Sequence, residues 1–131
     1  MMRDYFNTLA RYHLWATDKI LQQIATINEA DYRKDCGLFF KSIHGTLNHM
    51  LVGDLHWYAR FSGAPALSLA LNTEVETDRP ALDARLRDAV QPWQQFLSEM
   101  PPQRYDSLLY YKRADGVAVS SPFTATLGHD F

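Results

Sequence analysis

The chain has a single cysteine, Cys36, among its 131 residues. An internal disulfide is therefore excluded, and so is a zinc centre built from several thiolates. A lone thiol fits a reducing compartment. Because Cys36 stands in a connector before a glycine, we expect an inert thiol rather than a nucleophile.

Long apolar runs are also lacking. No stretch approaches the roughly 18 apolar residues that a membrane span needs. The first 30 residues carry charges at intervals, at Arg3, Asp4, Arg11, Asp18 and Lys19. A signal peptide needs an uninterrupted apolar segment, which this pattern does not provide. We expect a soluble cytoplasmic protein with no membrane partner.

Neither sign of charge dominates, since 13 Lys and Arg stand against 15 Asp and Glu, for a formal net charge of -2. The charges are interspersed and form no basic field of the kind that binds nucleic acid, so we expect no nucleic-acid partner. The sequence also lacks the phosphate-binding glycine patterns G-x-x-x-x-G-K-[ST] and G-x-G-x-x-G, and the G-x-S-x-G nucleophile pattern.

Apolar residues recur at steps of three and four, which predicts long amphipathic helices over 2–27, 41–61 and 80–99. Gly63 ends the second of these patterns. Pro92 falls inside the third and predicts a kink, because proline cannot donate the helical hydrogen bond. Residues 28–41 are predicted to be a connector.

The period changes near residues 106–120, where two β-prone runs flank Asp115-Gly116. Asp-Gly between such runs predicts a hairpin turn. Ser121-Pro122 then predicts an N-cap with proline at the first helical position. A fourth helix would occupy the final nine residues.

These elements predict an all-α single domain over 1–131, an up-and-down four-helix bundle with a short β-hairpin before the fourth helix. The fourth helix is cut short relative to the other three. Apolar surface on the first three helices would then stay uncovered, which predicts a homodimer or poor solubility.

The stretch "SIHGTLNHMLVGDLHWYARF" (42–61) holds three of the five histidines. His49 and His56 are seven residues apart, about 10.5 Å along a helix, which is too far for both to bind one ion. His44 lies about 140° around the helix from His49, a poor position for a co-ligand. By spacing alone, unrelated histidines are favoured over a metal site.

Two further residues stand out on or beside the apolar faces of the predicted helices. Asp54 is a carboxylate among apolar neighbours, and a buried charge needs a partner. The partner could belong to a neighbouring helix, or Asp54 could support a functional group, and both alternatives stay open. His13 lies at the edge of the apolar face of the helix predicted over 2–27 and is expected to be a packed helix-edge histidine.

The stretches "YHLWATDKILQQI" and "GLFFKSIHGTLNHMLVGDLHWYARFSG", followed by "PFTATLGHDF", resemble the DinB (DinB/YfiT-like) family. The resemblance implies a four-helix bundle that holds a divalent metal with three histidines. The "LNH" segment makes His49 one ligand, and the other two would form an i,i+4 pair beyond Phe131. His129 resembles a histidine one turn before that pair, near the site. Asp54 and Trp57 match positions that support the site or pack beside it.

The resemblance therefore implies a divalent-metal-binding protein, with Zn²⁺ or Ni²⁺, that activates a thiol or water as a transferase or hydrolase. A low-molecular-weight thiol would be a co-substrate. The alternatives are a non-enzymatic metal or small-ligand binder of a DNA-damage-inducible stress response, and an inactive truncated bundle that serves only in assembly. In the expected site, His49 points towards the fourth helix with His129 nearby, and His56 lies nearer the rim.

Overall fold

The computed structural model describes residues 2–113 and 115–131, which form a largely helical fold with one small antiparallel sheet. None of the helices in this part of the chain is both long and apolar enough to cross a membrane. The elements in chain order are α1 Met2–Ile24, α2 Glu29–Arg33, α3 Ile43–Ser62, α4 Arg79–Val90, α5 Pro92–Glu99, a 3-10 turn Pro102–Asp106, β1 Leu108–Lys112, β2 Ala118–Pro122 and α6 Phe123–Asp130.

A serine side chain and a glycine fix the ends of α3. The Ser42 side chain accepts a hydrogen bond from the Gly45 amide, and so satisfies one of the free N–H groups of the first turn. Gly63 ends the helix with φ of 77°, a left-handed conformation that suits glycine. The predicted stop at Gly63 is confirmed, and the helix begins two residues after the start predicted at residue 41.

One helical prediction needs correction and another is confirmed. Residues 28–41 are not only a connector, because they contain α2, whose N-cap Asn28 accepts a hydrogen bond from the Asp31 amide. The third predicted helix is divided at Pro92 into α4, which ends at Val90, and α5, which begins at the proline, but Gln91 between them keeps helical dihedral angles (φ −62°, ψ −44°), so the predicted kink is confirmed.

The hairpin forms where the Asp-Gly signal predicted it. Gly116 has φ of 83° at the turn, and Arg113 donates its amide to the Val117 carbonyl. The predicted helix start after it is wrong by one residue, because Ser121 belongs to β2 and α6 begins after Pro122 with no side-chain cap.

Helix α3 is the central element of the packing. It contacts α4, while α1 packs on both α4 and α5, and α6 packs on the 3-10 turn and both strands. Two apolar clusters share α3: Phe61 belongs to the one beside the hairpin, and Leu47 and Leu51 belong to the other. The remaining faces of α3 carry the polar residues of the candidate site.

Candidate functional site

His49 and His56 both hydrogen-bond to main-chain carbonyls in the loop between α3 and α4, residues 64–78. Nδ1 of His49 lies 2.9 Å from the Leu71 oxygen, and Nε2 of His56 lies 3.0 Å from the Leu69 oxygen. Because a carbonyl only accepts, these nitrogens carry the hydrogen. In the neutral imidazoles, Nε2 of His49 and Nδ1 of His56 therefore hold the lone pair.

The His49 ring faces the loops beside it. It stacks on Phe40, with ring centroids 4.0 Å apart and 17° between the planes. The predicted orientation, towards α6 and beside His129, is not the one observed. His129 is exposed and packs against Trp57, with centroids 6.2 Å apart. Eight residues of α3, about 12 Å of helix and 80° of rotation, separate Trp57 from His49.

His44 links three segments from a buried position. Its Nε2 lies 2.9 Å from a carboxylate oxygen of Glu74, and its Nδ1 lies 2.6 Å from the Tyr32 hydroxyl. Since a carboxylate only accepts, a neutral His44 donates to Glu74 and accepts from Tyr32. The imidazole thus ties α2 to α3 and to the α3–α4 loop.

Asn48 is a fourth anchor of that loop, and the sequence reasoning missed it. Its side chain is buried, donates to the Glu76 carbonyl at 3.2 Å and accepts from the Glu76 amide at 3.1 Å. A buried polar side chain needs such partners. With His44, His49 and His56, it fixes the loop to α3 at four levels.

His13, Asp54 and Asp130 form a cluster where α1, α3 and α6 meet. Nε2 of His13 lies 2.9 Å from Oδ1 of Asp54, and the carboxylate is buried. The neighbouring-helix alternative for Asp54 is therefore the one observed. His13 is a hydrogen-bond partner of this carboxylate rather than a merely packed histidine. An unpaired carboxylate in an apolar stripe was the signal that could have found this pair.

The cluster shifts the protonation of its members. Burial raises the pKa of Asp130 to about 7, the nearby Asp54 charge adds to the increase, and His13 opposes it. For His13, burial lowers the pKa, but the hydrogen bond and charge of Asp54, with a contribution from Asp130, outweigh it and raise the pKa above 6.5. The folded state thus favours the protonated forms of both Asp130 and His13 where the three helices meet.

Trp57 has a packing role beside the last turn of α6. Its indole contacts Phe61, Tyr111 and His129, with centroids 5.4 to 6.2 Å apart, and carries the Arg60 guanidinium over one face. It therefore joins α3 to the hairpin and α6.

The described residues do not bring together a complete set of metal ligands. In 2–113 and 115–131, no group of three or more His, Cys, Asp or Glu side chains is arranged to hold a metal ion. A protein zinc site uses three or four donors. Helix α6 runs along α3 from Phe61 to Trp57, since Phe123 packs on the former and His129 on the latter. Helix α6 therefore points along α3 towards the turn that carries His49.

The fold and site define a mostly helical protein whose central helix carries the polar residues. A family model described as the DinB family matches residues 1–121, and the chain belongs to that family. Protein DinB of Bacillus subtilis (strain 168) is 28% identical over 85 residues. That match covers 63% of this chain and 49% of the relative, so the chain spans about half the length of the protein it matches. No solved structure matches.

Proposed function

We propose that the protein binds a divalent metal such as Zn²⁺ or Ni²⁺, with Nε2 of His49 as one ligand. The hydrogen bond from Nδ1 of His49 to the Leu71 carbonyl carries the proposal. It fixes the tautomer and directs the lone pair to Nε2, as carbonyl partners do for many metal-ligating histidines. Stacking on Phe40 restrains the ring further.

The described residues do not supply the other ligands of the proposed metal site. The family resemblance assigns them to an i,i+4 histidine pair on the fourth helix. We propose that α1, α3, the kinked pair α4–α5 and α6 are the four helices of a bundle, with α6 directed towards His49. The packing of α6 along α3 supports this arrangement.

A metal held there would lower the pKa of a bound thiol or water and make it a nucleophile near neutral pH. On this basis we propose a thiol-dependent transferase or a hydrolase, with a low-molecular-weight thiol as the co-substrate. The chain's own part would be to hold His49 in one tautomer through Leu71 and to shape the surrounding loop through Asn48.

Metal titration tests the ligand. The chain should bind Zn²⁺ weakly in calorimetry, and His49→Ala should weaken that binding at least about tenfold, because a nitrogen bound directly to the metal is lost. His56→Ala is the matched control, since His56 also binds a loop carbonyl and should leave zinc affinity unchanged. Far-UV circular dichroism should show equal helix content. Zinc binding that survives His49→Ala would contradict the proposal.

The coding sequence after Phe131 offers an independent check. Two histidines four residues apart within the next few turns would supply the missing donors. A protein that includes them should hold stoichiometric metal by elemental analysis and lose it in His49→Ala. Their absence would leave His49 as a packing residue.

We also propose a homodimer. Three aromatic side chains of α1 are more than half exposed: Tyr5, Tyr12 and Trp15 at 57%, 59% and 55%. Tyr12 and Trp15 touch, with ring centroids 5.8 Å apart. Several large aromatics on one helix are typical of a protein interface.

A further inference from the structure

A cationic cleft opens between α3, the α3–α4 loop and the hairpin turn. It has a volume of roughly 460 Å³, and its positive groups are Arg60, Lys112 and Arg113. The protein as a whole has a net charge of -2, so this concentration of positive charge is local. A concave site lined by one sign of charge attracts ligands of the opposite sign.

Arg60 is held in a position from which it can bind an anionic ligand. Its guanidinium lies over two rings that touch each other edge to face, 4.6 Å from the centroids of both Trp57 and Tyr111. Contacts with both rings restrict the guanidinium and leave its N–H edge for a hydrogen-bonding partner. Cation–π contacts of this kind hold the charge without neutralising it.

No carboxylate among the described residues forms an ion pair with Arg60. Other arginines of the chain do pair with carboxylates: Arg33, Arg79, Arg85, Arg87 and Arg113. Arg60 is partly buried, and this burial lowers its pKa, with only Tyr111 opposing. A desolvated cation without a counter-charge is costly for a fold, and an anionic ligand would relieve that cost.

The other walls fit an apolar body. Ala66, Leu67, Leu69 and Ala70 line the side opposite the hairpin. His56 hydrogen-bonds to the Leu69 carbonyl and so fixes the position of this wall. The cleft thus combines one restrained guanidinium with a preformed aliphatic surface, the usual composition of a small-molecule site.

On the opposite side, the two hairpin cations differ. Arg113 forms an ion pair with Asp115 at 2.6 Å, which partly neutralises it. Lys112 is exposed and forms no ion pair with a described carboxylate, since Asp115 of the hairpin pairs with Arg113. Its flexible ammonium can therefore approach a ligand that Arg60 already holds.

We propose that this cleft binds a small organic oxyanion, a carboxylate or a phosphate carried on an apolar body. Arg60 is the principal contact, because its planar N–H edge can bind two oxygens of such a group at once. Lys112 adds a second positive charge. The proposal is independent of the metal site, since His49 lies seven residues, about 10.5 Å along α3, from His56 at the cleft wall.

Titrations of the chain with benzoate, phenyl phosphate and benzamide test the proposal. The Nε–H resonance of Arg60 and the fluorescence of Trp57 should respond to one or both oxyanions at about millimolar concentration. Benzamide has the same ring and nearly the same shape without the charge, so it should bind at least about tenfold more weakly. The tighter of the two oxyanions identifies the head group.

Three variants locate the site. Arg60→Gln should weaken oxyanion binding about tenfold or more, and Lys112→Gln about two- to threefold. Arg85→Gln, an exposed arginine of α4 that lies outside the cleft, is the control and should bind as the parent does. Thermal melting confirms that each variant folds. If Arg60→Gln does not fold, Lys112→Gln and the weakening of binding by added salt carry the test.

Three results would overturn the proposal. The first is equal binding of benzamide and benzoate, which would make the cleft merely apolar. The second is an unchanged oxyanion affinity in a folded Arg60→Gln variant. If that variant does not fold, the corresponding result is an unchanged affinity in Lys112→Gln together with oxyanion binding that added salt does not weaken. The third is the absence of any response at Arg60 to either oxyanion at about 10 mM.

Discussion

Nε2 of His13 on α1 lies 2.9 Å from Oδ1 of Asp54 on α3. The two residues are 41 positions apart and belong to the two longest helices. The carboxylate side chain is 9% exposed and the imidazole 21%, so water screens the contact only partly. The pair therefore orients α1 against α3 as well as satisfying a buried charge.

A double-mutant cycle measures this pair. At pH 6, Asp54→Asn and His13→Gln should each lower the free energy of unfolding by about 1–3 kcal/mol, because each leaves a partner with a weaker hydrogen bond. The double variant should lose less than the sum, with a coupling of about 1 kcal/mol or more. Urea unfolding followed by circular dichroism gives the values. Strictly additive losses would show that the two side chains act separately.

The stability should fall as the pH rises from about 5 to 8. The raised pKa of Asp130, about 7, means that the folded state keeps a proton that the unfolded state releases near pH 4. His13, with its raised pKa, acts in the same direction above its unfolded value near 6.5. The charged groups that face Asp130 are Asp54 on α3 and His13 on α1.

Asp130→Asn tests this pH dependence. The variant should flatten the profile and be more stable than the parent at pH 8 by about 1 kcal/mol or more, since an amide needs no ionisation. The exposed Asp88→Asn is the control and should reproduce the parent curve. The melting temperature at four pH values from 5 to 8 is the measurement. A parent whose stability rises over this range would contradict the assignment.

Two glycines of α3 make a matched pair. A Cβ at Gly45 would lie 2.3 Å from the Phe40 carbonyl oxygen, whereas a Cβ at Gly53 would meet nothing within 4 Å. Gly45→Ala should therefore destabilise the fold by about 1–3 kcal/mol and disturb the stacking of Phe40 on His49. Gly53→Ala should stabilise it by about 0.5–1 kcal/mol, because alanine favours a helix. Unfolding in urea and the ring resonances of Phe40 report both effects.

The proposed dimer gives a fourth expectation. Sedimentation velocity should show association that increases with protein concentration, and Tyr12→Glu should shift the chain towards monomer by placing a charge in the contact. Tyr110→Glu is the control, because Tyr110 is 73% exposed but lies on the hairpin. Equal association of the two variants would argue against the α1 surface.

The sequence predicts the long helices well because their apolar spacing is a local property. The helix expected over 41–61 is observed as Ile43–Ser62, and the one over 2–27 as Met2–Ile24. The five residues of α2 are too few for a periodic pattern, so only the Asn28 cap could have revealed them. Residues 80–99 read as one helix because their apolar spacing continues across the proline.

The candidate site was less accessible to sequence reasoning. Periodicity gives the face that a residue occupies but not its partner, which is why His13 and Asp54 were noted separately. The orientation of His49 depends on Phe40 and Leu71, which no spacing rule connects to it. The cleft at Arg60 is assembled from three distant segments, so only the tertiary packing reveals it.

The anchoring of the α3–α4 loop has an evolutionary consequence. Most of the contacts from α3 end on main-chain atoms, namely the oxygens of Leu69 and Leu71 and the amide and carbonyl of Glu76. Such atoms are present whatever side chain stands at those positions. The loop side chains can therefore diverge one at a time while the loop path is retained, and homologues can acquire new ligand preferences without rebuilding the helices beneath.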